Sequence, residues 1–241
     1  MSEVTPGGKP VPAPPIRSPD GRAAFLLAVA AAALLVVHFE ASEAGLGRWF
    51  LDTSRRPEYA MTSFAMSFLV LGVLPMFLAD GLCGLRPRDL GLRTGDPRAG
   101  LLLLSWAVPL AILLAWLSSR DPAFRRFYPL GGPHIGEATG GLLRYHGLYG
   151  LFYLGYEFLF RGLLLFGLRE RFGDAGANMA QTALAALFHL GRPEAEAFAA
   201  LASGPLFGWA ALRTGSFLYG WVAHAALGIG LDLFLLARGG A

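Results

Sequence analysis

Apolar residues along this chain run in long stretches, with most of the charges gathered in the breaks between them. Several stretches reach the roughly 18–20 residues that cross a bilayer. Runs at about 23–39, 60–83 and 100–118 predict three transmembrane helices. A longer run from about 142 to 168 ends in LRERFGD, where Arg169 and Arg171 suit a last turn and Gly173 a stop. Three shorter runs follow at about 176–190, 195–212 and 216–237, broken by GRPE and RTGS. The expected fold is an all-α polytopic transmembrane bundle of about seven helices. Between the third and fourth spans, Phe124, Phe127 and Tyr128 against Arg125 and Arg126 read as a short interfacial helix, followed by a Gly/Pro-rich loop.

Residues 1–21 stand apart: they hold six of the chain's 16 prolines and almost no large apolar residue. They are expected to form a disordered tail ahead of a membrane domain at 22–241, and not a cleaved signal peptide, because the hydrophobic run starts late and leads into further spans.

Composition agrees with the membrane reading. Hydrophobic residues make up 54% and charged residues 15%, against about 25% charged in an ordinary soluble domain. Mean hydropathy is +0.49. The net charge of +3, carried by arginines and one lysine, sits largely in loops. It suits anionic lipid headgroups, and no nucleic-acid motif accompanies it. The one cysteine, Cys83, excludes an internal disulfide and any multi-cysteine metal site. Basic residues divide too evenly between alternate loops to set the orientation, although the Arg-rich 84–98 loop favours a cytoplasmic N-terminus. No internal repeat is visible, which counts against a transporter built from inverted halves.

Four polar residues lie inside apolar runs, where an ionisable side chain is a functional candidate. Glu157 and Arg161, in YEFLFRG, are four apart and share a helix face. His189 ends the fifth span and His224 sits within the seventh. A structural ion pair and two hydrogen-bonded core histidines are the alternative to a shared site. If the groups meet, one carboxylate and two imidazoles can hold and deprotonate a water, with Arg161 as counter-charge. The same Glu157, His189 and His224 would equally hold Zn²⁺ with an open fourth position. Asp232 is expected to join such a cavity or meet Arg238, and His146 to reach the interface. Glu194 and Glu196 would complement a helix N-terminus.

These residues carry a family resemblance. E-x-x-x-R-G at Glu157–Gly162, a histidine closing the next helix, and R-T-G-S-x-x-x-x-W-x-x-H-A ending at Ala225 resemble the CPBP family of intramembrane proteases (CAAX proteases and bacteriocin-processing enzymes). The likeness covers roughly 84–237, including LRPRDLGLR, which is similar to the loop ahead of that family's core. Its motifs are E-E-x-x-x-R, F-x-x-x-H and H-x-x-x-N. Here Tyr156 stands at the first glutamate, the position usually taken as the water-activating base. Ala185 stands at the phenylalanine, with Phe188 near, and Gly228 at the asparagine. Neighbouring helix positions point about 100° apart. Glu157 therefore inherits that glutamate's place only if the helix is rotated or locally rewound.

The resemblance implies an intramembrane endopeptidase with Glu157, His189, His224 and Arg161 in its site. Its mechanism would be glutamic or zinc-dependent, and its substrate a membrane-anchored protein or peptide. Divergent relatives include sorting-type proteases such as the myxosortases, which process proteins with short C-terminal membrane anchors. The Arg-, Ala- and Gly-rich composition suits a high-GC bacterium and its cytoplasmic membrane. An inactive family member that binds without cleaving is the first alternative, and a small transporter the second.

Overall fold

A computed structural model describes residues 14–41, 56–137 and 139–239. Most of the proline-rich tail and of the polar loop after the first span lies outside the described residues. The helices are α1 (Pro19–Ala41), α2 (Arg56–Cys83), α3 (Pro97–Ser118) and the short α4 (Pro122–Phe127). There follow α5 (Gly141–Glu157), a π-helical segment (Phe158–Phe166), α6 (Gly167–Phe188), α7 (Glu194–Thr214) and α8 (Leu218–Ala237). No strand occurs among the described residues.

Helix starts and stops follow local chemistry. Ser18, Asp96 and Asp121 each accept backbone N–H bonds at the start of a helix whose first residue is proline. Thus α1 begins at Pro19, inside the stretch expected to be tail. Gly84 and Gly215 close α2 and α7 in left-handed geometry.

Residues 141–188 form one 48-residue helical run. At about 1.5 Å per residue this is about 72 Å, more than twice the roughly 30 Å hydrocarbon core. The run therefore has to fold back, and it does so at Gly173, whose φ of 68° and ψ of 175° only glycine adopts readily. The second half of α6 returns along the π segment, bringing the Phe188 ring to 5.9 Å from Tyr156 and 6.3 Å from Phe160.

This run is the centre of the bundle. Within its most apolar window 78% of residues are buried inside the protein, against 17–33% in the other five candidate spans. That explains the all-round apolar character of α5 and the π segment, and it gives polar groups there protein partners instead of lipid. The outer helices turn large apolar residues outward, among them Phe77, Leu101, Trp106 and Leu206. In a bilayer these face lipid.

Small residues let helices close on the centre. A Cβ on Gly155 of α5 would lie 3.1 Å from the Phe68 Cα and 3.4 Å from the Gly72 nitrogen of α2. Gly155→Leu is therefore expected to push α2 off α5 and cost about 1–3 kcal/mol, read as a lower thermal midpoint in detergent. Gly150→Ala is the control, because nothing lies within 4 Å of its would-be Cβ. On α8, Trp221 Nε1 donates to the Gly150 carbonyl at 2.8 Å and pins that helix to α5.

Candidate functional site

Glu157 is the last residue of α5, and the widened π segment begins at the next residue. Such rewinding changes the direction of every following side chain and concentrates at functional positions. The Glu157 side chain is fully buried. Its Oε1 accepts from His224 Nδ1 at 2.7 Å and from Arg161 Nη1 at 3.3 Å. A carboxylate only accepts, so the hydrogen of that short bond belongs to His224 Nδ1. Glu157 Oε2 has no hydrogen-bond partner and lies 3.4 Å from where a Cβ on Gly220 would be. Arg161 is buried too, with its guanidinium 5.1 Å from the Phe207 ring centre. The rings of Tyr153, Tyr156 and Phe207 wall His224 at 4.5, 5.1 and 5.7 Å.

His189 sits in the turn after α6. Its Nδ1 lies 2.7 Å from the Ala185 carbonyl, which can only accept, so Nδ1 carries a hydrogen. Its Nε2 faces Glu196 Oε1 at 3.8 Å. Glu196 points inward from the first turn of α7 and does more than complement a helix dipole. Its oxygens accept from the Tyr128 hydroxyl at 2.9 and 2.8 Å, and Oε1 from Arg192 Nη1 at 3.3 Å. Arg192 also donates to the Tyr128 oxygen at 2.6 Å. Burial holds the Tyr128 phenol well above its usual range, which keeps it a neutral donor.

The polar groups therefore form two clusters, one around Glu157 and His224 and one around His189 and Glu196. Between them stands Tyr156, its ring 5.1 Å from His224 and 6.0 Å from His189. Of the four residues singled out in the sequence, Glu157, Arg161 and His224 touch directly, and His189 lies across that ring. Among the described residues no three His, Cys, Asp or Glu side chains gather as a metal site. Glu157, His189 and His224 thus do not fit Zn²⁺ as a three-ligand set.

Both halves rest on defined supports. In α6, the Gln181 amide donates to the Gly204 carbonyl of α7 at 3.1 Å and Asn178 to the Pro205 carbonyl at 3.1 Å. Bare glycines at 204 and 208 allow that approach. The 84–98 loop braces the turn before α8: Asp96 N donates to the Thr214 carbonyl at 2.8 Å and Arg93 Nε to the Gly215 carbonyl at 3.0 Å.

Two expectations are corrected. Asp232 is fully buried and faces His146 Nε2 at 3.6 Å, not Arg238. Correspondingly, His146 turns into the bundle, because α5 presents it to α8 and not to an interface. The asparagine position of the third motif, Gly228, is filled from the opposite helix: a Cβ there would lie 2.0 Å from the Tyr153 hydroxyl oxygen. Tyr153 in turn donates to Tyr149 at 2.8 Å. Tyr128, read from the sequence only as part of an interfacial helix, joins the site, as do Arg192 and Tyr153, which the sequence does not single out. The spacing Arg192 to Glu196, one helical turn directly after His189, was the available signal.

Fold and site together define an all-helical integral membrane protein with ionisable side chains buried at the centre of its bundle. Residues 147–229, which span α5 from its second turn to the middle of α8, match the family model described as Rce1-like, Type II CAAX prenyl endopeptidase. The match is a likeness to the CPBP/CAAX protease family over the stretch that carries Glu157, Arg161, His189 and His224. No curated protein and no solved structure matches the chain.

Proposed function

We propose that the protein is an intramembrane endopeptidase that hydrolyses a peptide bond in or near a membrane-embedded segment, in a bacterial cytoplasmic membrane. The carrying observation is the buried Glu157–His224 contact of 2.7 Å with Glu157 Oε2 buried beside it and without a hydrogen-bond partner. Oε2 is the base that takes a proton from the attacking water and returns it to the amide nitrogen as the C–N bond breaks, and His224 on Oε1 fixes the carboxylate's direction. Arg161 balances its charge. His189, across Tyr156, when it carries hydrogen on both nitrogens, presents Nε2 to the developing oxyanion. The substrate class is a short C-terminal signal, of the prenylated CAAX type or of the single-anchor sorting type.

The test uses purified protein in liposomes with two internally quenched peptides, one ending in a farnesylated CAAX sequence and one carrying a short C-terminal apolar anchor. The native protein is expected to cleave one of them. Glu157→Gln and His189→Ala are expected to lower the rate by about 10²–10⁴ in protein that still folds, with Glu157→Gln losing less thermal stability than Glu157→Ala. Undiminished cleavage in both variants sinks the assignment. A ring at 156 and a side chain packed over Gly228 favour the alternative of a family member that binds such peptides without cleaving them. That alternative predicts saturable binding of an anchored peptide and no product from the native protein.

A further inference from the structure

The proposed chemistry leaves one group without an explanation, the charged cluster beside His189. Its Nδ1 hydrogen is committed to the Ala185 carbonyl, so His189 can donate to an oxyanion only through Nε2. With both nitrogens carrying hydrogen the ring is a cation. Burial disfavours that charge most, and Arg192 from the same turn, His224 from α8 and Arg161 from the π segment oppose it further. The imidazole pKa is thus pushed down to about 3, and its charge needs an acidic partner. The uncharged groups are Tyr156 from α5, whose ring centre is 6.0 Å away, and Tyr128 after α4, bonded to Glu196. Glu196 Oε1 faces Nε2 at 3.8 Å. This distance is too long for a direct hydrogen bond, and it leaves room for a reacting oxygen beside Nε2. It is short enough for the Glu196 carboxylate to favour a proton on Nε2 over its absence.

We propose that Glu196 is the second carboxylate of the site: a positioning residue that acts through His189 and serves where Tyr156 occupies the expected carboxylate position. The inference rests on the endopeptidase reading above. Glu196 comes from α7, past the turn that carries His189, so the acid that α5 lacks at position 156 is delivered from a neighbouring helix. Tyr128 and Arg192 hold both of its oxygens, and this fixes the charge in place before a substrate arrives.

Glu196→Gln is the discriminating variant, because an amide oxygen still accepts from Tyr128 and Arg192 while the charge is lost. Against whichever of the two quenched peptides is cleaved, kcat is expected to fall about 10²-fold with KM and thermal midpoint nearly unchanged. Glu196→Asp should recover part of the loss, and Glu196→Gln/Tyr156→Glu should recover more than Glu196→Gln alone. Tyr128→Phe, which removes a hydrogen bond but no charge, should lose little. In protein with ¹⁵N-labelled histidine, the His189 Nε2 resonance, identified by its absence in His189→Ala, should move in Glu196→Gln and stay in Tyr128→Phe.

Full activity in Glu196→Gln beside an inactive Glu157→Gln overturns the role of Glu196 and leaves the endopeptidase reading standing. Full activity in both overturns the two together. Equal losses in Glu196→Gln and Tyr128→Phe reduce Glu196 to a structural tie and overturn the proposal. If the native protein cleaves neither peptide, the spectrum decides, and an unmoved Nε2 resonance overturns the charge partnership by itself.

Discussion

Glu157→Ala is expected to destabilise the bundle by about 3–5 kcal/mol, because it strips the buried Arg161 of its carboxylate and leaves a cation without a partner. Arg161 is 4% exposed, its Nε already lacks a hydrogen-bond partner, and the Phe207 ring covers it without neutralising it. His224 would also lose the acceptor for Nδ1. The measurement is the thermal midpoint and the fraction of monodisperse protein in detergent. The double variant Glu157→Ala/Arg161→Leu should regain most of the loss, since removing both members of a buried pair avoids the unpaired charge. A Glu157→Ala variant as stable as the native protein would show that Arg161 finds compensation elsewhere. The consequence for function is direct: an alanine at 157 conflates lost chemistry with lost structure. Glutamine keeps an acceptor for both His224 and Arg161, and it is the variant that isolates the base.

The parts of the fold readable in the sequence are those set by local chemistry. The breaks at GRPE and RTGS fall at turns, and Gly173 ends its helix as its position after Arg169 and Arg171 suggested. The all-α membrane class follows from run length alone. Glu157, Arg161 and His224 could be named because ionisable groups in apolar runs are costly and have to meet something. What could not be read depends on helix rotation and on which faces meet. The π segment after Glu157 has no composition of its own, since FLFRGLLLF suits an α-helix equally well. Glu196 reads as an ordinary first-turn acid until α6 folds back and sets His189 against it. His146 and Asp232 each have another expected place by sequence, the interface for one and the cavity or Arg238 for the other, and only the antiparallel contact of α5 with α8 places them 3.6 Å apart. The same contact decides Tyr153, whose hydroxyl lies over Gly228 from a helix some seventy residues earlier in the chain.

That last contact carries the second large effect. Placing asparagine at 228, as the family motif has it, is expected to damage the protein and not to improve it. A Cβ at that position would sit 2.0 Å from the Tyr153 hydroxyl oxygen and 2.6 Å from its ring carbon Cζ. No real contact is so short, so either Tyr153 leaves its place or α8 moves away from α5. Tyr153 is buried, hydrogen-bonded to Tyr149 and packed against His224, which leaves it little freedom to turn aside. Displacing α8 would pull His224 from Glu157. Gly228→Asn alone should therefore lose about 3 kcal/mol or more and any peptidase activity with it. Tyr153→Ala/Gly228→Asn, which opens the space the amide needs, should recover much of the thermal midpoint and show whether an amide at 228 can act beside His224. If Gly228→Asn by itself is as stable and as active as the native protein, the close packing of α5 on α8 around Tyr153 is wrong. The Glu157–His224 geometry, which depends on that packing, would then be wrong as well.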